Sequence, residues 1–375
     1  MDVNDAIKKF SNSKNNNIAP PGWVYTSKDW FNLEFKNFFS RSWHFFCLSH
    51  ELDKYGSFRN RNFYNKNYLV IRDKNGGLRA FINSCKHRGA PLTDQKCGRM
   101  KSLVCPYHKW GYNLEGKLLN APGIENIEDV VEYDLNLTSV KVEEEAGLVF
   151  INFSEKNNIP SLKEYLDNYL PIVADPHNIK NMRRVHEKNY KLKSNWKLYV
   201  EVDMETLHTP YIHKNSIGVQ PVEQSPAKGE WIGVFSRSQE TVALKPGLRN
   251  LGFPFNHGIY GDGLNGTHFS IIYPGFFIVV AQDCMWWIQK TAISHESVAI
   301  NVGYCFPEET ISRSDFESVS KLYFERLDQV IKEDDLITEY QQNGLHADFQ
   351  GFYTIQESTV LQLDKEIIAR TIGWL

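Results

Sequence analysis

Cys85-Lys-His87-Arg-Gly-Ala-Pro-Leu92 and Cys105-Pro-Tyr-His108-Lys-Trp110 each pair a cysteine with a histidine, and 17 residues separate the two pairs. Around them, from residue 43 to about 153, short apolar runs recur at 68–71, 78–82, 103–104 and 147–152. Asp73-Lys-Asn-Gly-Gly77 and Glu115-Gly116 punctuate these runs. The pattern predicts a compact all-β unit of hairpins whose loops carry the two pairs. Thiolate and imidazole suit a structural zinc, but a Cys-x-His pair is tighter than finger spacing, and no helix pattern follows the second pair. A two-iron cluster with two thiolates on one iron and two imidazoles on the other needs one ligand of each kind from each loop. These loops supply that set.

A second constellation follows. Glu205-Thr-Leu-His208-Thr-Pro-Tyr-Ile-His213 places two histidines five residues apart around a proline, at the end of a candidate helix over 195–208. On an unbroken helix the imidazoles would diverge by ~140°. Pro210 lacks the backbone donor and is expected to turn the chain, so that both rings face one point. Two histidines and one carboxylate on one face of an iron leave the opposite positions open for oxygen and substrate. Glu205 precedes His208 by one helical turn and is not expected to be a ligand. Glu201, a further turn back, reads as an ordinary helix-surface charge.

Both stretches resemble, motif for motif, the catalytic alpha-type subunit of the Rieske non-haem iron oxygenases, the family of ring-hydroxylating oxygenases and quaternary-amine monooxygenases. The resemblance covers nearly the whole chain. It implies a [2Fe-2S] cluster held by Cys85, His87, Cys105 and His108, and a mononuclear Fe(II) held by His208, His213 and a carboxylate on a late helix. Glu333-Asp-Asp-Leu-Ile-Thr-Glu339-Tyr-Gln341 is similar to that helix, which places the ligand at Asp334, with Asp335 as the alternative. Glu205 takes the place where many members have an aspartate linking the two metal centres across a subunit boundary, so a homotrimer is implied. The implied fold is α+β: an all-β Rieske [2Fe-2S] domain inserted into a helix-grip catalytic domain with a large antiparallel sheet. The expected boundaries are an N-terminal segment over 1–42 packing on the catalytic domain, the Rieske domain over 43–155 and the catalytic domain over 156–375. The implied reaction uses O2 to hydroxylate or demethylate a small organic substrate. Electrons would arrive from a separate flavin- or ferredoxin-type reductase that oxidises NAD(P)H.

Composition narrows the alternatives. With 42 Lys+Arg against 45 Asp+Glu, the formal charge of −3 offers no broad footprint for nucleic acid or an anionic membrane. Residues 1–17 are polar and lack the apolar run of a secretory signal. The apolar stretch 269–288 is split by Pro274-Gly275 and reads as sheet strands joined by a turn. Six cysteines spread unevenly fit a reducing, cytoplasmic setting, with Cys47, Cys97, Cys284 and Cys305 as small buried apolar residues. Residues 229–306 alternate as one antiparallel sheet. Phe316, Val319, Tyr323, Leu327 and Val330 predict a long helix, with Ser314 and Glu317 as its capping box. Residues 162–170 look like a short helix. Gly261-Asp-Gly263-Leu-Asn-Gly266 has dinucleotide-loop spacing in the wrong context, because a strand and not a helix follows; it reads as a flexible loop.

Substrate identity is open at this level. After His213 the chain offers Trp231, Phe235, Phe253, Phe255, Tyr260, Phe269, Tyr273, Trp286 and Trp287. An aromatic cage would suit a quaternary ammonium group such as that of choline, betaine or carnitine. An aromatic-lined pocket suits a benzenoid ring equally well. The compact length favours the quaternary-amine branch over an aromatic ring-hydroxylating dioxygenase alpha subunit. From a different class, a Rieske electron carrier or zinc module without oxygenase activity would need no His208, His213 and Asp334.

Overall fold

The computed structural model describes residues 17–124, 133–156, 158–347 and 350–373. The polar lead-in of residues 1–16 lies outside them. The chain divides into two units, Trp43–Leu162 and Met1–Ser42 with Lys163–Leu375.

Among the described residues of the first unit the predicted alternation becomes ten strands: β1 Trp43–Leu48, β2 Ser57–Phe63, β3 Lys66–Arg72, β4 Leu78–Ile82, β5 Cys97–Arg99, β6 Leu103–Val104, β7 Gly111–Tyr112, β8 Leu118–Asn120, β9 Ser139–Glu145 and β10 Leu148–Asn152. They form a seven-stranded antiparallel sheet, ordered β1-β10-β9-β4-β3-β2-β5, and a small sheet β6-β7-β8. Phe58, Leu69, Phe81 and Tyr112 make a shared core into which Cys85 and Cys105 also pack. The paired loops therefore leave from strands whose inner faces are already fixed. Cys97 departs from expectation: it lies exposed on β5, an edge strand, whereas Cys47, Cys284 and Cys305 are buried.

The second unit carries a seven-stranded antiparallel sheet made of β11 Met182–Leu192, β12 Glu223–Gln224, β13 Trp231–Arg237, β14 Gly266–Ile272, β15 Phe276–Val280, β16 Met285–Ser294 and β17 Ser297–Pro307. Its order is β11-β17-β16-β15-β14-β13-β12. Register places Val234, Phe269, Val279 and Trp286 opposite one another in one row, and hence on one face. Close packing against that sheet leaves Gly303 no substitute, since a Cβ there would meet the Trp287 indole at 2.0 Å. The helices of this unit include α1 Lys28–Asn37, α2 Trp196–Val202, α3 Thr209–Ile212, α4 Phe316–Leu345 and α5 Ser358–Ile372. No described helix is long and apolar enough to cross a membrane.

α4 is the predicted long helix, and Tyr323, Leu327, Val330, Asp334 and Thr338 form its buried stripe. Its expected capping box is absent. The N-cap is Asp315, whose carboxylate pairs with Arg313 and makes no cap hydrogen bond. α2 ends six residues short of the expected His208, and Asn195 caps its start by accepting from the Lys197 amide at 3.0 Å. Pro210 does not break a helix: it sits in the first turn of α3, where a missing N–H costs nothing. The helix expected over 162–170 is a short one, Leu162–Leu166, followed by a π-helical turn at Leu170–Ala174. The glycine-spaced loop is a helical turn, Asp262–Asn265, pressed so closely on Pro176 that a Cβ on Gly263 would lie 2.2 Å from its carbonyl oxygen.

Polar anchors hold α2 in place. The buried Glu34 carboxylate accepts from the Trp30 and Trp196 indoles at 2.9 Å each and from Lys197 Nζ at 2.6 Å. At the start of α2 the Asn195 amide donates to Gln342 on α4 at 2.7 Å, and just upstream the Lys193 amide donates to Glu339 at 2.9 Å. The buried Trp30, Trp196 and Lys197 donors hold position because each has found an acceptor in Glu34.

Glu201 corrects the sequence reading, being 6% exposed and facing Asp364 and Tyr25 in place of solvent. Burial raises its carboxyl well above the usual carboxylate range, and burial with the facing Glu201 does the same to Asp364. The fold therefore retains a proton that the unfolded chain has released. Its stabilising effect is complete below the ordinary carboxylate pKa and is lost as pH rises through the raised value. Glu201→Gln should unfold at higher urea than the parent at pH 8.5, by on the order of 2 kcal/mol, with the gap closing near pH 4.5. An equal loss of stability at both pH values would refute this account.

Candidate metal centres and catalytic cavity

The two cysteine–histidine loops are the same turn used twice. Cys85 N donates to Ala90 O at 2.8 Å while Cys85 O accepts from Gly89 N at 2.9 Å. Cys105 repeats this with Trp110 O at 2.8 Å and Lys109 N at 3.1 Å. Both turns need a left-handed residue four positions after the cysteine. Gly89 takes φ +76°, and Lys109 takes φ +61° at a modest conformational cost. The His87 and His108 ring centroids lie 4.7 Å apart, with Trp110 stacked on His87 at 4.9 Å. Desolvation, then the charges of His87 and Arg88, hold the His108 imidazole below its ordinary value, which favours the neutral form a metal ligand needs. Tyr112 Oη lies 3.4 Å from Cys85 Sγ and accepts from the Lys86 amide at 3.2 Å.

Among the described residues, the only three or more His, Cys, Asp or Glu groups whose ligand atoms all fall within 4.8 Å are His208, His213 and Asp334. Each of the two matching turns supplies one thiolate and one imidazole, the donor set that a [2Fe-2S] cluster with two histidine ligands requires.

At the other centre, His208 and His213 bracket α3, and their rings stand 4.9 Å apart. Convergence arises at the ends: His208 is the N-cap, and His213 leaves helical geometry at φ −100°, ψ 29°. Each imidazole is held from behind by a glutamate. His208 Nδ1 bonds the Glu205 carboxylate, which also accepts from the His208 amide at 3.1 Å. His213 Nδ1 bonds Glu333 Oε2 at 2.7 Å, and Ser216 Oγ donates to the same oxygen at 2.6 Å. Both Nε2 atoms are thereby aimed at Asp334 Oδ1, at 3.6 Å from His208 and 2.9 Å from His213. Burial alone would lower the pKa of His213; its bonds to Asp334 and Glu333 outweigh burial and raise it. Hydrogen bonds from Ser216, His213 and Gln329 overcome desolvation and keep Glu333 below the usual carboxylate range.

Asp335, the other candidate ligand, points elsewhere and accepts from Tyr190 Oη at 3.0 Å; burial pushes its carboxyl up to about 6. Glu333 was missed in the sequence, where it reads as one more acid on a charged helix. The triad opens on a pocket lined by α4 and the sheet face, including Val234, Phe269, Val279, Trp286 and Ile288. Of the nine aromatic residues singled out, Phe269 and Trp286 line it, and Phe277 joins them.

Residues 179–372, more than half of the chain, match the family model described as the ring hydroxylating alpha subunit (catalytic domain), and residues 42–136 match that of the Rieske [2Fe-2S] domain. The chain belongs to the ring-hydroxylating alpha-subunit family. The family's cofactors are a [2Fe-2S] cluster and a mononuclear iron that works with O2, and both donor sets above fit them. Among curated relatives, the alpha-subunit chain is 30% identical to the glycine betaine monooxygenase oxygenase subunit of Pseudomonas aeruginosa over 196 residues, 52% of this chain and 45% of that protein. It is 31% identical to the carnitine monooxygenase oxygenase subunit of Acinetobacter pittii over 201 residues, 52% of each. The match spans about half the length of these relatives. Among solved structures, the quaternary ammonium Rieske monooxygenase CntA superposes with a TM-score of 0.81 at 22% identity, over 97% of this chain and 98% of that one. That likeness establishes a shared fold.

Proposed function

We propose that this chain is the terminal oxygenase component of a multicomponent Rieske oxygenase that hydroxylates or demethylates a small organic substrate. The observation that carries this reading is the convergence of His208, His213 and Asp334 on the wall of an apolar cavity. When bound, the mononuclear iron would supply O2 activation, and the cluster would supply electrons received from a separate flavin- or ferredoxin-type reductase. His208, His213 and Asp334 hold that iron on one face; Cys85, His87, Cys105 and His108 hold the cluster. Glu205 and Glu333 fix the tautomer and direction of the two imidazoles. In the homotrimer that this role requires, Glu205 would link the iron histidine to a cluster histidine of a neighbouring protomer. The relatives named for glycine betaine and carnitine favour a quaternary amine as substrate.

A second reading is a ring-hydroxylating dioxygenase for an aromatic compound. It is favoured by two cavity rings that already carry cations of the chain: Lys290 Nζ lies 4.8 Å from the Phe277 centroid, and the Arg326 guanidinium carbon 5.7 Å from that of Trp286. Those faces are poorly placed to cage another cation.

The deciding experiment is metal and sulfide analysis with low-temperature EPR on anaerobically purified, dithionite-reduced protein. About three irons and two sulfides per chain, with the low average g value of a histidine-ligated cluster, are expected. Iron and sulfide for the cluster alone would leave an electron carrier. Zinc without sulfide would overturn both metal assignments.

A further inference from the structure

One acid on the pocket wall is used by neither histidine. Asp203 is the C-cap of α2, two positions before Glu205, and lines the pocket together with Phe277 and Ile288. Glu205 commits both oxygens to His208, and Asp334 faces the two imidazoles. Asp203 has a different partner: its Oδ2 accepts from the ammonium of Lys290 on β16, whose side chain is wholly buried. The other oxygen, Oδ1, accepts from no described residue, yet it is not sealed in, and 3% of the side chain remains exposed.

Lys290 is fixed on every side. Its ammonium lies 4.8 Å from the ring centroids of both Tyr199 and Phe277. Its amide donates to Gly275 O at 2.8 Å, and the strands approach so closely that a Cβ on Gly275 would lie 2.7 Å from Lys290 O. Burial pulls the ammonium well below its ordinary value, and the charges of Asp334 and Asp335 and the bond to Asp203 oppose this. With the proton held between them, Lys290 and Asp203 carry no net charge. Such a site calls for a hydrogen bond at the open oxygen and not for a counter-ion, and a carboxylate is a strong acceptor when desolvated.

We infer that Asp203 is a specificity-determining residue of this pocket: its open Oδ1 accepts a hydrogen bond from a hydroxyl or N–H of the substrate, and Lys290 behind it holds the carboxylate in position. This deepens the oxygenase reading by naming a group the substrate must carry, and it rests on that reading only for the chemistry that follows binding. A quaternary ammonium group has no N–H to give. In a substrate of that kind the donor is therefore a hydroxyl elsewhere in the molecule.

The test is calorimetric binding to the full-length, metal-loaded protein without reductase, using choline against its O-methyl ether and benzyl alcohol against benzyl methyl ether. In at least one pair the alcohol should bind more than about tenfold tighter, because a site with an acceptor left unpaired rejects the analogue that lacks the donor. Replacing both partners together, Asp203→Leu with Lys290→Met, strands no buried charge and should bring that preference below about threefold while the ether binds as before. Asp203→Asn with Lys290→Met retains an acceptor and should keep part of the preference. A merely structural ion pair would leave the preference unchanged in both. Should neither variant fold, a crystal structure of the parent with the preferred alcohol must place its hydroxyl within hydrogen-bond distance of Asp203 Oδ1. Equal binding of alcohol and ether in the parent, a preference that survives loss of the pair, or a hydroxyl bound elsewhere would overturn the inference. A preference for the alcohol without reductase-driven oxygen uptake would instead sink the oxygenase reading and leave the Asp203 subsite standing.

Discussion

Replacing His213 with alanine is expected to cut product formation by about a thousandfold while leaving the visible absorption of the iron–sulfur cluster unchanged. His213 is 1% exposed and stands between Glu333 and Asp334, bonded to both. Removing it takes away one donor of three and leaves two carboxylates facing an empty space. Loss of an outer partner alone typically weakens a metal site ten- to a hundredfold, and loss of a direct ligand exceeds that. The cluster ligands belong to the other unit, so iron analysis should fall from about three per chain to about two. Unchanged turnover, or a bleached cluster, would count against the assignment of His213.

Glu205→Gln is expected to keep both metals yet slow reoxidation of the reduced cluster by roughly a hundredfold. The glutamate uses both oxygens, one for the His208 amide and one for its Nδ1. A glutamine of the same shape keeps one acceptor and presents an NH2 where the other stood. The backbone bond can survive while control of the imidazole tautomer is lost. Stopped-flow measurement of cluster reoxidation with substrate and O2 separates this from a folding defect, as does Glu205→Asp, which keeps the charge and should retain part of the rate. A fully active Glu205→Gln enzyme would refute the linking role.

Legibility in the sequence followed the range of the interaction. The cluster loops were readable because each is a closed turn of six residues, Cys85–Ala90 and Cys105–Trp110, that contains both of its ligands. Asp334 was reachable only by its position in a longer motif, since an acid on a buried helical stripe is indistinguishable from a solvated one before packing is known. Glu201 was misjudged for that reason: its burial depends on α5 and the N-terminal helices. The extent of α2 was misread because the histidines lie on a second short helix whose proline occupies the first turn. Arg326 left no trace, because the burial of a charge is a property of the folded interior and not of any spacing.

α4 carries both Arg326 and Asp334 on one continuous run of backbone hydrogen bonds. Eight residues at about 1.5 Å each set the two positions roughly 12 Å apart along the axis. The helix therefore serves as a ruler: a change in its length or pitch between the two marks would slide the Asp334 carboxylate along the pocket wall, so the place of the proposed metal is set by backbone geometry and not by side-chain freedom.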